Sequence, residues 1–365
     1  MNAVALRILF VTPYPHRGAD TRYRIEQFLP GLRQAGIEAE LRPFMSERLY
    51  AIYAGPGRRL EKAKEMAAAL ARRLLDVLLA RRFDAVFIHK EAFAFGPPII
   101  ESLLRRRCGA LIFDLDDAFW THPPQLRQIG RWLRDPRKTV KVLRFSDHII
   151  AGNTYIADRA RDYNPRVTVI PTVIDTARYR PRLQPSTDGR VTLGWVGRWS
   201  SAFYLDHLVP VFRKVCARYP QAQIKLIGAG ELQWPGVRLI CQPWRLESEI
   251  EDLQSFDIGL MPLADDEYAR YKCGFKMLQY MGVGIPAVVS PVGVNRDVIQ
   301  DGVNGFLAST SDEWRNRLSR LIEDPALRAR LGGAGRETVE RQYSLAGTLP
   351  VMKQVIEGVV SRYKN

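Results

Sequence analysis

The chain has 365 residues, 46% hydrophobic and 25% charged, a globular composition with room for about two domains of the usual ~100–200 residues. Its net charge of +15 is lopsided: residues 1–180 hold 31 Lys and Arg against 19 Asp and Glu, a net of +12, and the remainder only +3. No stretch approaches the ~20 apolar residues of a spanning helix, and four scattered cysteines (Cys108, Cys216, Cys241, Cys273) without a C-x-x-C pair argue against a disulfide framework and structural zinc, and for a reduced, cytoplasmic protein.

Taken in chain order, Ile8–Val11 follows Arg7 and ends at Thr12-Pro13 with no small-residue cleavage site, so it reads as a first strand and not as a secretory signal. The turn from Pro13 to Arg24 lacks the three glycines of a dinucleotide fingerprint. Its Gly18, Arg22 and Arg24 are candidates to face an anionic acceptor. Leu60, Ala63, Ala67, Leu70, Leu74 and Leu78 then recur at helical spacing, with Arg58, Arg59, Lys62, Lys64, Arg72, Arg73, Arg81 and Arg82 on the rest of the helix. Such a helix either packs its leucine face on a sheet or lies on an anionic membrane.

Strands follow at 85–89, 110–114, 148–151 and 167–171, then at 191–196, 223–227, 237–241, 258–261 and 287–290, with helical patterns between them. That alternation predicts an α/β protein of two doubly wound parallel sheets. The polar, Pro-rich run 180–190 is the expected linker. It places an N-terminal domain at 1–182, a second domain at 183–345, and a C-terminal helix at 346–365 that packs back on the first.

Ligands of open parallel sheets gather at the carboxyl ends of strands, where amides and helix starts attract anions. Gly194-Trp-Val-Gly197-Arg198-Trp-Ser-Ser201 offers a phosphate both amides and a guanidinium fork. Tyr271-Lys272-Cys-Gly274-Phe275-Lys276 enters a helix with two lysines, and Gln279 lies on the face of Lys276, suited to a ribose. Trp244 to Glu249 is the expected surround of the base. In the first half, His89 and Lys90, further acceptor candidates, end one strand and Asp114-Leu-Asp116-Asp117 ends another. Asp116 and Asp117 are candidates for accepting sugar or acceptor hydroxyls, with Asp114 as a structural cap; a lone Asp-x-Asp does not establish a metal, and none is expected. Gly228-Ala-Gly230 reads as a plain strand-to-helix turn.

At these residues the chain resembles the retaining glycosyltransferases of the GT-B fold known as family 4. The likeness is strongest in Gly197-Arg198 and from Phe256 to Leu307, where Phe275-Lys-Met-Leu-Gln-Tyr-Met-Gly-Val-Gly-Ile-Pro is closed by Asp301-Gly-Val-Asn-Gly-Phe306. More narrowly, Thr21-Arg-Tyr-Arg24 with Leu29-Pro30, Asp116-Asp-Ala118 and Tyr280-Met281 resembles a branch associated with bacterial cell-surface polysaccharides. The resemblance implies two Rossmann-like domains separated by a cleft, with the acceptor on the first and a nucleotide-sugar donor, UDP- or GDP-linked, on the second. It implies retention of configuration, usually without a metal. Arg198 falls on the family's diphosphate arginine. The family's lysine five residues later is Phe203 here, which makes Lys276 the candidate partner. The family's paired glutamates fall on Tyr271 and Gln279, and its first-domain histidine falls on Asp116-Asp117.

On this reading Arg198, Lys272, Lys276 and the Gly274–Phe275 amides hold the leaving phosphate, and the domains close about 180–190 to exclude water. The acceptor is a glycan or lipid-linked hydroxyl, with the basic first domain at the inner face of the plasma membrane. Two rivals remain: a non-hydrolysing nucleotide-sugar epimerase, which needs a carboxylate–histidine cluster, and a non-catalytic basic module. The basic residues are not interleaved with aromatic ones, which argues against nucleic acid as the partner.

Overall fold

The computed structural model describes residues 6–118, 120, 135, 137–182 and 189–364. Residues 183–188 of the expected linker, including the expected start of the second domain, lie outside the described residues. The chain divides into two compact units, Met1–Thr172 with Thr348–Asn365, and Val173–Gly347.

The first unit holds a parallel sheet of β1 (Leu6–Thr12), β2 (Ile37–Pro43), β3 (Ala85–His89), β4 (Ala110–Leu115), β5 (His148–Ala151) and β6 (Val167–Val169), in the order β2-β1-β3-β4-β5-β6. β3 and β4 are buried along their whole length, as the continuous apolar runs of a doubly covered parallel sheet require. β2 is an addition to the expected strands. Its sequence Ile-Glu-Ala-Glu-Leu-Arg-Pro alternates apolar and charged residues because it is an edge, paired only with β1 and half exposed. The last helix, Leu345–Lys364, contributes its residues from Thr348 onward to this unit. Leu349 sits so near Gly31 that a Cβ there would lie 2.3 Å from it.

The helix Arg59–Leu79 packs by the face opposite to the leucine stripe. Its buried residues are Ala69, Arg73, Asp76 and Val77, whereas Leu60, Leu74 and Leu78 are 81%, 45% and 52% exposed. The reading in which the leucines pack on the sheet is therefore overturned, and Arg73 leaves the set of surface basic residues. The reason is polar. The Arg73 guanidinium, 1% exposed, pairs with Asp76 at 3.0 Å and donates to the carbonyls of Thr12, Arg42 and Ala92. It thereby ties together the segments at the ends of β1 and β2 and beyond β3, as a second donor to the Thr12 carbonyl that also accepts from Phe44 N–H. Burial holds its pKa down to about 10 against the pull of Asp76.

The second unit holds β7 (Val191–Val196), β8 (Ala222–Ile227), β9 (Leu239–Gln242), β10 (Ile258–Met261), β11 (Ala287–Val289) and β12 (Phe306–Leu307), all parallel, in the order β12-β11-β10-β7-β8-β9. β12 has two residues, too few for any periodicity to announce it. The other ten strands fall where the apolar runs predict, with ends shifted by a residue or two. The core centres on Trp195, Phe212, Leu226 and Trp314. Residues 173–182 join this unit through their own bonds. Ile174 N–H donates to the Tyr343 carbonyl, Leu345 N–H donates to that of Ile174, and Arg336 donates to the carbonyls of Thr176, Tyr179 and Gly282. Among the described residues no helix is long and apolar enough to cross a membrane.

Candidate donor and acceptor sites

The donor candidates converge where the second sheet changes direction. β7 pairs with β10 only through Leu193↔Ile258 and Gly194↔Gly259 before the strands part, which is the switch point at which such sheets bind ligands. The helix Phe275–Gly282 is fixed there by Tyr280, whose hydroxyl accepts from Val196 N–H and donates to the Leu260 carbonyl, both at 3.2 Å. Gly274 precedes the helix with φ +66 and no side chain caps it. A helix start of this kind favours an anion.

Lys276, in the first turn, lays its stem against Gly197: a Cβ on Gly197 would lie 2.7 Å from Lys276 Cε. Its ammonium sits 5.2 Å from the centre of the Trp195 ring. Burial first, and the neighbouring Lys272 ammonium second, push the Lys276 pKa down to about 7. Among the described residues no carboxylate pairs with it. Lys272 rests over Tyr268 at 4.4 Å. Arg198 follows Gly197 on the exposed side, at the start of the 3-10 helix Trp199–Leu208.

Gly228 completes this corner. It adopts φ +79, and a Cβ would lie 2.4 Å from the Gly197 carbonyl oxygen and 3.3 Å from Trp244 Cβ. The Gly228 turn thus places Trp244 beside Gly197, a role that a lone Gly-x-Gly did not suggest. Gly228→Ala is expected to cost about 1–3 kcal/mol of stability and to weaken nucleotide binding. Thermal denaturation and a nucleotide titration test this, and an unchanged Tm with unchanged binding would refute it.

Gln279 and Glu249 lie deeper, each 4% exposed. Tyr179 joins them: Gln279 Nε2 donates to its hydroxyl at 3.4 Å, and that hydroxyl donates to Glu249 Oε2 at 3.2 Å. The structure brings both residues together through Tyr179, which lies far from them in sequence and carried no motif.

The acceptor candidates of the first unit form a second cluster at the ends of β3 and β4. Asp114 is fully buried. Its carboxylate accepts from Nε and Nη2 along one edge of the Arg24 guanidinium and from His89 Nδ1 at 2.6 Å. It is an ion-pair hub and caps no helix end. Burial alone would raise its pKa, but Arg24 and His89 outweigh this and hold it below the usual carboxylate range. Arg24 is 1% exposed and also donates to the Ile170 carbonyl, so it supports the cluster from within. His89 Nε2 is buried with no hydrogen-bond partner among the described residues.

Beside this hub, Lys90 has φ +64, and Glu91 N–H donates to the His89 carbonyl across it. A γ-turn with positive φ at its centre is rare and strained, and strain of this kind collects at functional sites. Lys90 Nζ meets Asp20 at 2.5 Å and Asp116 at 3.1 Å. Burial lowers the Lys90 pKa, but Asp116 and Asp20 carry it well above the ordinary value; burial raises that of Asp116, with Lys90 opposing. Asp117 Oδ1 accepts from the Ala118 amide. Arg22 is buried, its guanidinium over Tyr23 and donating to the Arg17 carbonyl, and Gly18 opens the helix Ala19–Arg24 with its Cα against Tyr14. Arg24, His89 and Lys90 thus gather about Asp114 and Asp116. No local pattern joins residues so far apart in sequence. Among the described residues no three His, Cys, Asp or Glu side chains converge as a cation site.

Comparison with known proteins bears on the family and the fold. Residues 24–178 match the family model Glycosyltransferase Family 4, and residues 190–324 match Glycosyl transferases group 1. EpsD of Bacillus subtilis (strain 168), which is named as a glycosyltransferase, is 34% identical over 101 residues, covering 26% of this chain and 26% of EpsD. The matched stretch therefore spans about a quarter of that relative. Among solved structures, Anabaena Alr3699/HepE in complex with UDP and glucose shares 16% identity at TM-score 0.65, over 97% of this chain and all of that one. Sucrose-phosphate synthase from Thermosynechococcus elongatus shares 15% at TM-score 0.69, over 98% of this chain and all of that one. With a glycosyltransferase domain matched in each half and this fold throughout, the chain belongs to the GT-B glycosyltransferases.

Proposed function

We propose that the protein is a retaining glycosyltransferase. It moves a sugar from a nucleoside-diphosphate sugar to a hydroxyl of a glycan or lipid-linked acceptor in bacterial surface polysaccharide synthesis, at the cytoplasmic face of the membrane and without a bound metal. The observation that carries this reading is Lys276: a half-buried lysine with no carboxylate partner among the described residues, at an uncapped helix start beside Gly197-Arg198. A cation held so is prepared for an anionic group that arrives with the substrate. Lys276, Lys272 and Arg198 offset the charge that develops on the β-phosphate as the bond from sugar C1 to phosphate oxygen breaks. The acceptor oxygen bonds to C1 from the same face, and its proton passes to the departing phosphate. The first unit binds the acceptor through the Asp116–Lys90 group.

The UDP and UDP-glucose in the HepE structures make uridine the first donor to test. Calorimetric titration of UDP, GDP, ADP and CMP in EDTA is expected to show one nucleoside diphosphate binding in the micromolar range, with binding lost in Lys276→Ala. Binding of none of them would overturn the reading; a donor consumed without any acceptor would favour the epimerase.

Proton uptake gives an independent check. Lys276 titrates at about 7 in the free protein, and a bound diphosphate raises that value. Above pH 7 binding therefore takes up a proton, and the uptake fades as pH falls below 7, where Lys276 is already charged. Titrations in two buffers of different ionisation heat measure it. No uptake near pH 8 removes Lys276 from the phosphate site.

A further inference from the structure

The helix Arg59–Leu79 has two apolar aspects, and only one is covered. Ala69 and Val77 face the protein with Arg73 and Asp76. On the opposite side Leu60, Leu74, Leu75 and Leu78 are exposed, with Ala63, Ala67, Ala68 and Ala71 exposed between them. At 100° per residue these positions fall on one side of the helix and form a stripe along ~30 Å of its length. A buried packing surface does not explain them, and a monomer rarely leaves so continuous an apolar stripe to water.

The exposed charges on this side are predominantly basic, with Lys64 within the stripe and Arg59 and Arg72 at its borders. Arg59, Lys64 and Arg72 are exposed along the helix, and Arg81 and Arg82 continue past its end. The acidic residues of the helix, of which Glu61 borders the stripe, are each held by a partner. Glu61 pairs with Arg48 and Arg58, Glu65 accepts from Ser46, and Asp76 is buried against Arg73. The residues up to 180 also carry a net charge of +12. An apolar stripe bordered mainly by cations, with its one acidic neighbour Glu61 already paired to Arg48 and Arg58, matches a surface that is apolar beneath and anionic above, which is the interface of a membrane with acidic lipids.

We infer that the exposed face of Arg59–Leu79 docks the protein on an anionic lipid surface, with Leu60, Leu74, Leu75 and Leu78 entering the acyl boundary and Arg59, Lys64 and Arg72 meeting the headgroups. The inference names the surface for the membrane-side acceptor proposed above and rests on that reading only for its purpose, since docking needs neither donor nor acceptor.

The full chain is tested by co-sedimentation with vesicles of phosphatidylglycerol and phosphatidylcholine, against phosphatidylcholine alone. Wild type is expected to partition onto the acidic vesicles and to leave them as salt rises. The quadruple variant Leu60→Ser, Leu74→Ser, Leu75→Ser, Leu78→Ser should lose about tenfold or more in partition while keeping its Tm, because these side chains are already in water. Arg59→Glu with Lys64→Glu and Arg72→Glu should lose as much. Partition unchanged in either variant, or no partition of wild type, overturns the docking. So does a wild-type dimer that the serine variant makes monomeric without lipid, since a second copy would then cover the stripe. Nucleotide titration of the same variants keeps the readings distinct: normal donor binding with no vesicle binding removes the docking alone, and the reverse removes the donor site alone.

Discussion

Lys276→Ala is expected to lower turnover by about 10²–10³-fold, the cost of removing one group that stabilises developing charge, while the protein stays folded. The stability half of this expectation follows from linkage. Lys276 titrates at about 7 in the folded chain and near ~10.4 when unfolded, so the unfolded state binds the extra proton between those values. The ammonium therefore opposes folding. Its penalty is complete below pH 7 and is relieved as pH rises toward ~10.4. Replacing it with alanine removes the penalty, and the Tm at pH 7 should be equal to or above that of wild type. Steady-state turnover with a thermal melt of the same sample tests both halves. Near-normal turnover would take Lys276 out of the reaction; lost turnover with a lowered Tm would assign it a packing role.

Asp114→Ala should act in the opposite way, destabilising by about 3–5 kcal/mol, the range for breaking a buried ion pair from one side. Arg24 would be left charged at 1% exposure and His89 would lose the acceptor of its Nδ1 proton. Denaturant unfolding measures the loss, and a change under about 1 kcal/mol would show that water reaches the hub. Arg24→Met with Asp114→Leu should regain much of the stability, because an apolar pair leaves no orphaned charge. The acid limb follows from the lowered Asp114 pKa. Its contribution is complete above the unfolded-state value near ~4 and disappears as pH falls through the lower folded value. The Asp114→Ala variant should lack that part of the acid dependence.

These two variants separate two kinds of charge that the sequence presents alike. Arg24 and Lys276 both stand in motifs at strand ends. One is neutralised inside its own unit, and the other has no carboxylate partner among the described residues. The same holds for the helix Arg59–Leu79. Its leucine periodicity is legible from sequence, but periodicity identifies an apolar face without saying which way it points. Arg73 reverses the expected orientation because four polar partners, Asp76 and three backbone carbonyls, outweigh the burial of a few methyl groups.

By itself the sequence determined the two parallel sheets and singled out the candidate phosphate segments of the second. β-branched runs spaced by helices admit few other folds. Gly197-Arg198 and Gly274-Phe275-Lys276 are local segments that could be read as candidates from their own residues, although the burial of Lys276 against Gly197 and Trp195 is tertiary. Tertiary structure alone decided the rest. It attached residues 173–182 to the second unit through Tyr343, Leu345 and Arg336. It linked Gln279 to Glu249 through Tyr179, set Gly228 against Gly197, gathered Arg24, His89 and Lys90 about Asp114 and Asp116, and turned four leucines outward. Each of these joins groups separated along the chain or selects between the two sides of one element. Spacing fixes what a segment can form, whereas the partner that comes to satisfy a buried charge or carbonyl is set by the packing of the whole unit.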